Sequence, residues 1–388
     1  MQNHLPVRTA SSRDIALSQA QSLALPLLFT VFGVIMGSWA GRVPAMAQRV
    51  HVSHAALSMI LLCGGLGAVL SYPISSRMMG SLGARKTMLF SGMALLAVLI
   101  AIGAAPTVPL LMMAVLSLGI TASTFDVAVN SAATGREKQT GKSELSKLHG
   151  LGCAGGLAGA TLGSLMASLH IAPATHFVML AGPLALVLYF GFSLLDATDA
   201  GETVEKKSLS LPRGPLLFLG AIGFLGSMAE GSIADWSGVF LKEHFGASDG
   251  LAPLALSAFS VMMLLARLVG DKLKARHGAR PLVTSGSMLG AAGLFFAVLS
   301  PNAYVALFGF AVAGMGMALV FPFVFSAAGA QGPAALAGVA SMAYSGSLMG
   351  PPVIGAIAQG LGMQVAIAYI GALAALIAFV ASRSRLLK

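Results

Sequence analysis

The chain alternates between long apolar runs and short polar breaks. Apolar stretches occupy about residues 22–43, 55–75, 87–105, 108–134, 148–169 and 173–195, then 214–240, 251–270, 281–300, 303–329, 334–358 and 363–381. A helix rises about 1.5 Å per residue, so about 20 apolar residues match the roughly 30 Å hydrocarbon layer of a bilayer. The pattern predicts an all-α membrane protein with twelve transmembrane helices. Several breaks are very short uncharged turns, between the third and fourth, ninth and tenth, and eleventh and twelfth runs. One break differs. Residues 196–214, DATDAGETVEKKSLSLPRG, are polar and carry both signs of charge, which reads as a linker between two halves. The organisation expected is therefore a six-helix bundle over 1–195, a cytoplasmic linker over 196–213 and a second six-helix bundle over 214–388.

Composition narrows the function classes. Hydrophobic residues make up 56% of the chain and charged residues only 9%, against about a quarter charged in soluble domains, which excludes an ordinary soluble enzyme. The net charge of +10 suggests nucleic acid until its distribution is read. With both termini in the cytoplasm, every Lys and Arg except Arg42, Arg49 and Lys242 falls on the cytoplasmic side, as the positive-inside rule asks. The charge thus reports orientation in a bacterial inner membrane, with no nucleic-acid partner. Residues 1–18 are polar, and the first run leads into Arg42 and Pro44 without a small-residue cleavage pattern, so it reads as a spanning helix. Cys63 and Cys153 both lie in apolar runs, which argues against a disulfide or a metal site. The 47 glycines and 21 methionines suit closely packed, adaptable helices.

The fourth run holds the chemistry that stands out. Asp126 sits well inside it, and a carboxylate deep in a lipid-embedded helix costs roughly 3 kcal/mol on insertion scales. A partner, a water-filled cavity or a bound proton must offset that cost. Helical spacing puts Asp126, Asn130, Ala133 and Glu137 on one face, so this face should look into the protein. Asp126 reads as a proton-coupling group, with a structural hydrogen bond as the alternative; Asn130 reads as its orienting partner, a substrate contact or a helix–helix bond. Glu137 lies among Arg136, Lys138 and Lys142, which suggests an ion-pair network that gates the cytoplasmic end. Glu230, near the centre of the seventh run with no basic residue within a turn, is a second candidate for coupling or binding. His149 opens the fifth run and could relay protons or hydrogen-bond Asp126 or Glu137.

The halves repeat. LGARKTMLFSGM (82–93) matches HGARPLVTSGSM (277–288) at an offset of 195, and Trp39 with Gly41 matches Trp236 with Gly238 at 197. His149 falls opposite Tyr344, and Asp126 opposite Phe321. Parallel repeats imply two pseudo-symmetric bundles with a substrate site at their interface, which makes Phe321 and Tyr344 candidate lining residues. No nucleotide loop, metalloprotease motif or nucleophile motif with its partners occurs. The glycine-rich GLGCAGGLAGATLG (150–163) lies in an apolar run and reads as close helix packing. No enzyme activity, cofactor or metal is expected.

A twelve-helix chain with a basic G-x-R element between the second and third runs and again between the eighth and ninth resembles the major facilitator superfamily. RLVGDKLKARHGAR (267–280) is similar to the family's G-D-x-x-x-x-R-x-G-x-R loop, whereas SSRMMGSLGARK (75–86) lacks its aspartate. The resemblance implies a gating and ion-pairing role for Arg267, Asp271, Arg276 and Arg280. FDVAVN (125–130) resembles the acid-x-x-x-Asn element of the fucose–proton symporter branch, and EGSIADWSGVFL (230–241) resembles that branch's seventh helix. It implies that Trp236, and Trp39 by the repeat, could stack on a sugar ring, where the residue type alone suggests an interface anchor. The expectation is a monomeric, proton-coupled secondary transporter of a small polar, sugar-like solute. An exporter of amphipathic compounds and a non-transporting membrane sensor are the alternatives.

Overall fold

The computed structural model describes residues 22–50, 52–140, 145–195, 212–331 and 333–387. Among these described residues twelve helices follow one another: α1 Ala24–Arg49, α2 His54–Ala104, α3 Val108–Thr140, α4 Leu145–Ser168, α5 Pro173–Leu194, α6 Leu216–Phe245, α7 Leu254–His277, α8 Ala279–Leu299, α9 Ala303–Met317, α10 Val320–Gly329, α11 Pro333–Leu361 and α12 Met363–Arg383. Among the described residues, ten helical segments are long and apolar enough to cross a membrane. Leu254–Gly270 of α7 is a shorter apolar segment. With α11, at 29 residues, the passes number the twelve expected. Most of the linker, residues 196–211, lies outside the described residues.

One boundary holds and one differs from the sequence reading. The second and third runs share the 51-residue stretch α2 but are parted between them at Gly83. At 1.5 Å per residue α2 would measure about 75 Å if straight, more than twice the hydrocarbon layer. Gly83 supplies the break with φ 73° and ψ 169°, a combination open only to glycine. Gly278, at the same place in the second half, adopts φ 78° and ψ 165° between α7 and α8. The tenth run, in turn, splits into α9 and α10. Pro322 has no amide hydrogen to give the carbonyl of Ala318, four residues earlier, and its ring crowds that carbonyl; the helix breaks at 318–319.

The repeat extends to single bonds. Arg85 Nε donates to the carbonyl of Phe192 and Arg280 Nε to that of Leu387, both pairs related by 195. Each ties the third pass of its half to the end of the sixth. Close helix seams repeat as well. A Cβ on Gly119 would meet the Gly64 carbonyl oxygen at 1.9 Å, and one on Gly314 would meet that of Phe259 at 1.9 Å.

The two halves meet along α2 with α11, α4 with α7, and α1 with α6. The bonds across this seam gather toward one end, where α1, α4 and α6 finish and α2 and α7 begin. There His54 Nε2 lies 2.7 Å from Glu243 Oε2, Lys242 Nζ lies 2.5 Å from Gln48 Oε1, and Ser164 donates to the Gly250 carbonyl. Arg42 is 2% exposed and donates to the carbonyls of Gly163 and Ile171.

Packing at the α1–α4 seam yields a direct test. A Cβ at Gly37 would sit 1.9 Å from the Gly156 carbonyl oxygen, whereas one at Gly80 meets nothing within 4 Å. Gly37→Ala should lower stability by about 1–3 kcal/mol, the usual range for overpacking, and Gly80→Ala should not. Thermal unfolding of the two variants in detergent gives the comparison.

Candidate functional site

The predicted acidic face of α3 is organised by its own helical spacing. Asn130 Nδ2 donates to Asp126 Oδ1 at 2.9 Å and to the Asp126 carbonyl at 2.9 Å. Its other amide atom, Oδ1, meets His149 Nε2 of α4 at 3.0 Å. With Nδ2 donating to Asp126, Oδ1 can only accept, so His149 presents a protonated Nε2. The result is an unbroken polar chain, Asp126–Asn130–His149, that crosses from α3 to α4. Two α1 aromatics back it: Phe29 sets its ring 5.1 Å from His149 at 72°, and Phe32 stacks on Phe125 at 5.5 Å.

The second half has its own charged pair, which reaches the first half at Cys153, one turn from His149. Glu230 of α6 has Oε1 4.0 Å from Arg267 NH2 of α7. Arg267 reaches that position because its Nε donates at 3.0 Å to the Ala318 carbonyl, the one that Pro322 leaves without a helical donor. Its NH1 lies 3.5 Å from the Cys153 sulfur of α4, one turn beyond His149, so Arg267 bridges the halves. Glu230 also lines a cavity of about 330 Å³ with Ser227, Gly231, Ala234, Phe321 and Ser347. Its Oε2 is buried without a hydrogen-bond partner. Measured along the helices, Glu230 and Arg267 lie about 20 Å, and Asp126 about 27 Å, from the end where the halves are joined.

The remaining candidates fall in several places. Phe321 reaches the cavity, opposite the Asp126 chain in the repeat. Trp39 is 7% and Trp236 0% exposed; neither lines this cavity, and Trp236 packs beside the His54 ring, centroids 6.1 Å apart. Tyr344 is 69% exposed on α11. Arg276 and Arg280 are exposed, and Arg280 is engaged with Leu387. Arg136 is half-buried on α3. The side chains of Glu137 and Asp271 lie outside the described residues. The sequence reading missed Cys153 as a seam residue, the Ala318 carbonyl, and Ser227 and Ser347; Pro322 was the available signal for the second. It also passed over the His54–Glu243 pair, whose members are 189 residues apart and carry no local signature.

Polar groups buried in apolar passes, held where two repeated halves meet, define a multi-pass membrane transporter. The chain belongs to the major facilitator superfamily: that family's model matches residues 24–346 and 222–386. It is 34% identical over 359 residues to the uncharacterized transporter y4wD of Sinorhizobium fredii, covering 91% of this chain and 95% of the relative. It is 29% identical over 360 residues to membrane protein MosC of Rhizobium meliloti, covering 92% and 88%. Among solved structures, the nucleoside transporter NupG superposes with a TM-score of 0.70 at 16% identity, covering 93% of this chain and 98% of that one. A bacterial homologue of the lysosomal transporter Spinster, inward-facing and occupied, superposes at 0.73 with 14% identity, covering 97% and 98%. At these identities the solved structures speak for the fold.

The seam position of Cys153 sets up a labelling test. Cys153 is exposed and Cys63 half-buried, so a water-soluble maleimide should modify Cys153 at least several-fold faster in the purified protein. Mass spectrometry of the labelled peptides reads the ratio; equal rates would take Cys153 out of an aqueous seam.

Proposed function

We propose that this chain is a monomeric secondary transporter that moves a small polar solute by alternating access, driven by protons that Asp126 and Glu230 take up and release. The observation that carries the reading is a polar array in each half, Asp126–Asn130–His149 in the first and Glu230–Arg267 in the second, with Arg267 reaching across to Cys153, one turn from His149. A charged carboxylate at membrane depth is tolerated when it is partnered, solvated or protonated, and a group that changes between those conditions is what coupling requires. The halves, 1–195 and 214–388 joined through 196–213, would rock about the seam between them. Charge distribution puts the linker and both termini in the cytoplasm of a bacterial inner membrane. The end sealed by His54–Glu243 is then periplasmic, and the conformation is the one that opens inward. Hydroxyl-bearing, sugar-like solutes suit the Asn130 amide, the His149 ring and the Ser227 and Ser347 hydroxyls.

Asp126→Asn tests the coupling role. The amide imitates a permanently protonated acid and keeps the bond to Asn130 feasible, so accumulation driven by a proton gradient should fall at least ten-fold while solute exchange persists. Proteoliposomes with and without an imposed pH gradient separate the two activities. Wild-type accumulation at every pH would make Asp126 structural and leave the role to Glu230.

A further inference from the structure

We infer that Arg267 binds an anionic group of the transported solute, and that Glu230 and the solute compete for it. This rests on the proton-coupled reading above and names the class of solute. Arginine carries five N–H donors in a planar fork suited to a carboxylate. Here Nε is committed to the Ala318 carbonyl at 3.0 Å, which fixes the plane and aims the two terminal nitrogens at the seam. Neither terminal nitrogen is well used. NH1 has a thiol sulfur at 3.5 Å, and NH2 stands 4.0 Å from Glu230 Oε1, too far for a hydrogen bond. The Arg267 side chain keeps 25% of its surface open and Glu230 31%, while Glu230 Oε2 is buried and unpartnered.

A loosely held guanidinium beside an incompletely satisfied carboxylate and a cavity of about 330 Å³ is an exchangeable pair. With Glu230 ionised, the arginine has an internal counter-ion. With a proton on Glu230, the guanidinium charge is uncompensated and a solute carboxylate takes both terminal nitrogens in the bidentate geometry that is strongest for this group. One proton thus travels on Glu230 with one negative charge on Arg267. Among the described residues, the titratable groups around the pair are Arg267 from α7, Cys153 and, a turn before it, His149 from α4, and Asp235 on the same helix; α10 and α11 bring Phe321 and Ser347 to the cavity. The opposing polar chain on α3 and α4 remains for the neutral, hydroxylated part of the solute, so the class expected is a hydroxylated monocarboxylate.

Three solutes of one size and three charges discriminate: gluconate, glucose and glucosamine. On the purified full-length chain at pH 5.5 and 7.5, thermal shift should report gluconate binding at least ten-fold tighter at pH 5.5, with glucosamine inactive. Glu230→Gln should make gluconate binding equal at the two pH values, and Arg267→Gln should weaken it at least ten-fold. Phenylglyoxal reads the exchange without any solute: the isosteric Glu230→Gln change should raise modification of Arg267 several-fold, as quantified on the peptide. Preference for glucose or glucosamine, an unchanged phenylglyoxal rate, or no binding of gluconate, galacturonate or lactate at either pH overturns the assignment. The two levels separate in proteoliposomes. Protons entering with a neutral or amine solute defeat only the anion assignment, whereas gluconate entering without protons defeats the coupling reading.

Discussion

Helices in hydrocarbon gain nothing by hiding apolar side chains from one another, since lipid is as apolar as leucine. What holds such a bundle together is close approach, where backbone meets backbone and dispersion and polar contacts accumulate. This chain meets that constraint at the seams of each half, with Gly37 against Gly156 in the first and Gly314 against Phe259 in the second. Close approach recurs between the halves, at Gly355 against Ser58 and Gly65 against Leu348, but there it is joined by side-chain polar contacts, His54 with Glu243 and Arg267 with Cys153.

The buried polar groups are arranged by the helices' own defects and periods. Asp126 and Asn130 meet because they are four residues apart on an unbroken α3. Arg267 is where it is because Pro322 frees a carbonyl on the neighbouring pass. Each half solves the problem of burying polarity differently. The first uses a neutral amide between an acid and a ring; the second uses opposite charges that do not quite touch.

Much of this was legible in the sequence. Run length and charge distribution gave the twelve passes, and the 195-residue offset aligned LGAR with HGAR, whose glycines adopt nearly the same backbone conformation. The spacing of Asp126 and Asn130 gave their bond, whereas His149, expected to reach Asp126 or Glu137, bonds to Asn130. What the sequence hid was depth and partnership across the seam. Arg267 read as part of a surface loop motif because its charged neighbours Lys272, Lys274 and Arg276 dominate the segment, yet it lies nearly three turns before the end of α7. The tryptophans read as lining residues by analogy, and burial at the sealed end removes both from the cavity seen here. Pairings such as His54 with Glu243 depend on how two halves dock, which no local pattern encodes.

The paired bonds of Arg85 to Phe192 and Arg280 to Leu387 carry a historical implication. A bond present twice at one offset, with its glycine hinge, is most simply inherited from an ancestral six-pass unit that duplicated. The acids divide along the same line: Asp126 faces Phe321 in the register of these bonds, and Glu230 faces Gly33 in the register of the two tryptophans. Architecture is shared between the copies and charge is not. The bonds that repeat and the acids that do not are therefore separable: a change at Asp126 or Glu230 leaves both copies of the Arg-to-carbonyl tie intact.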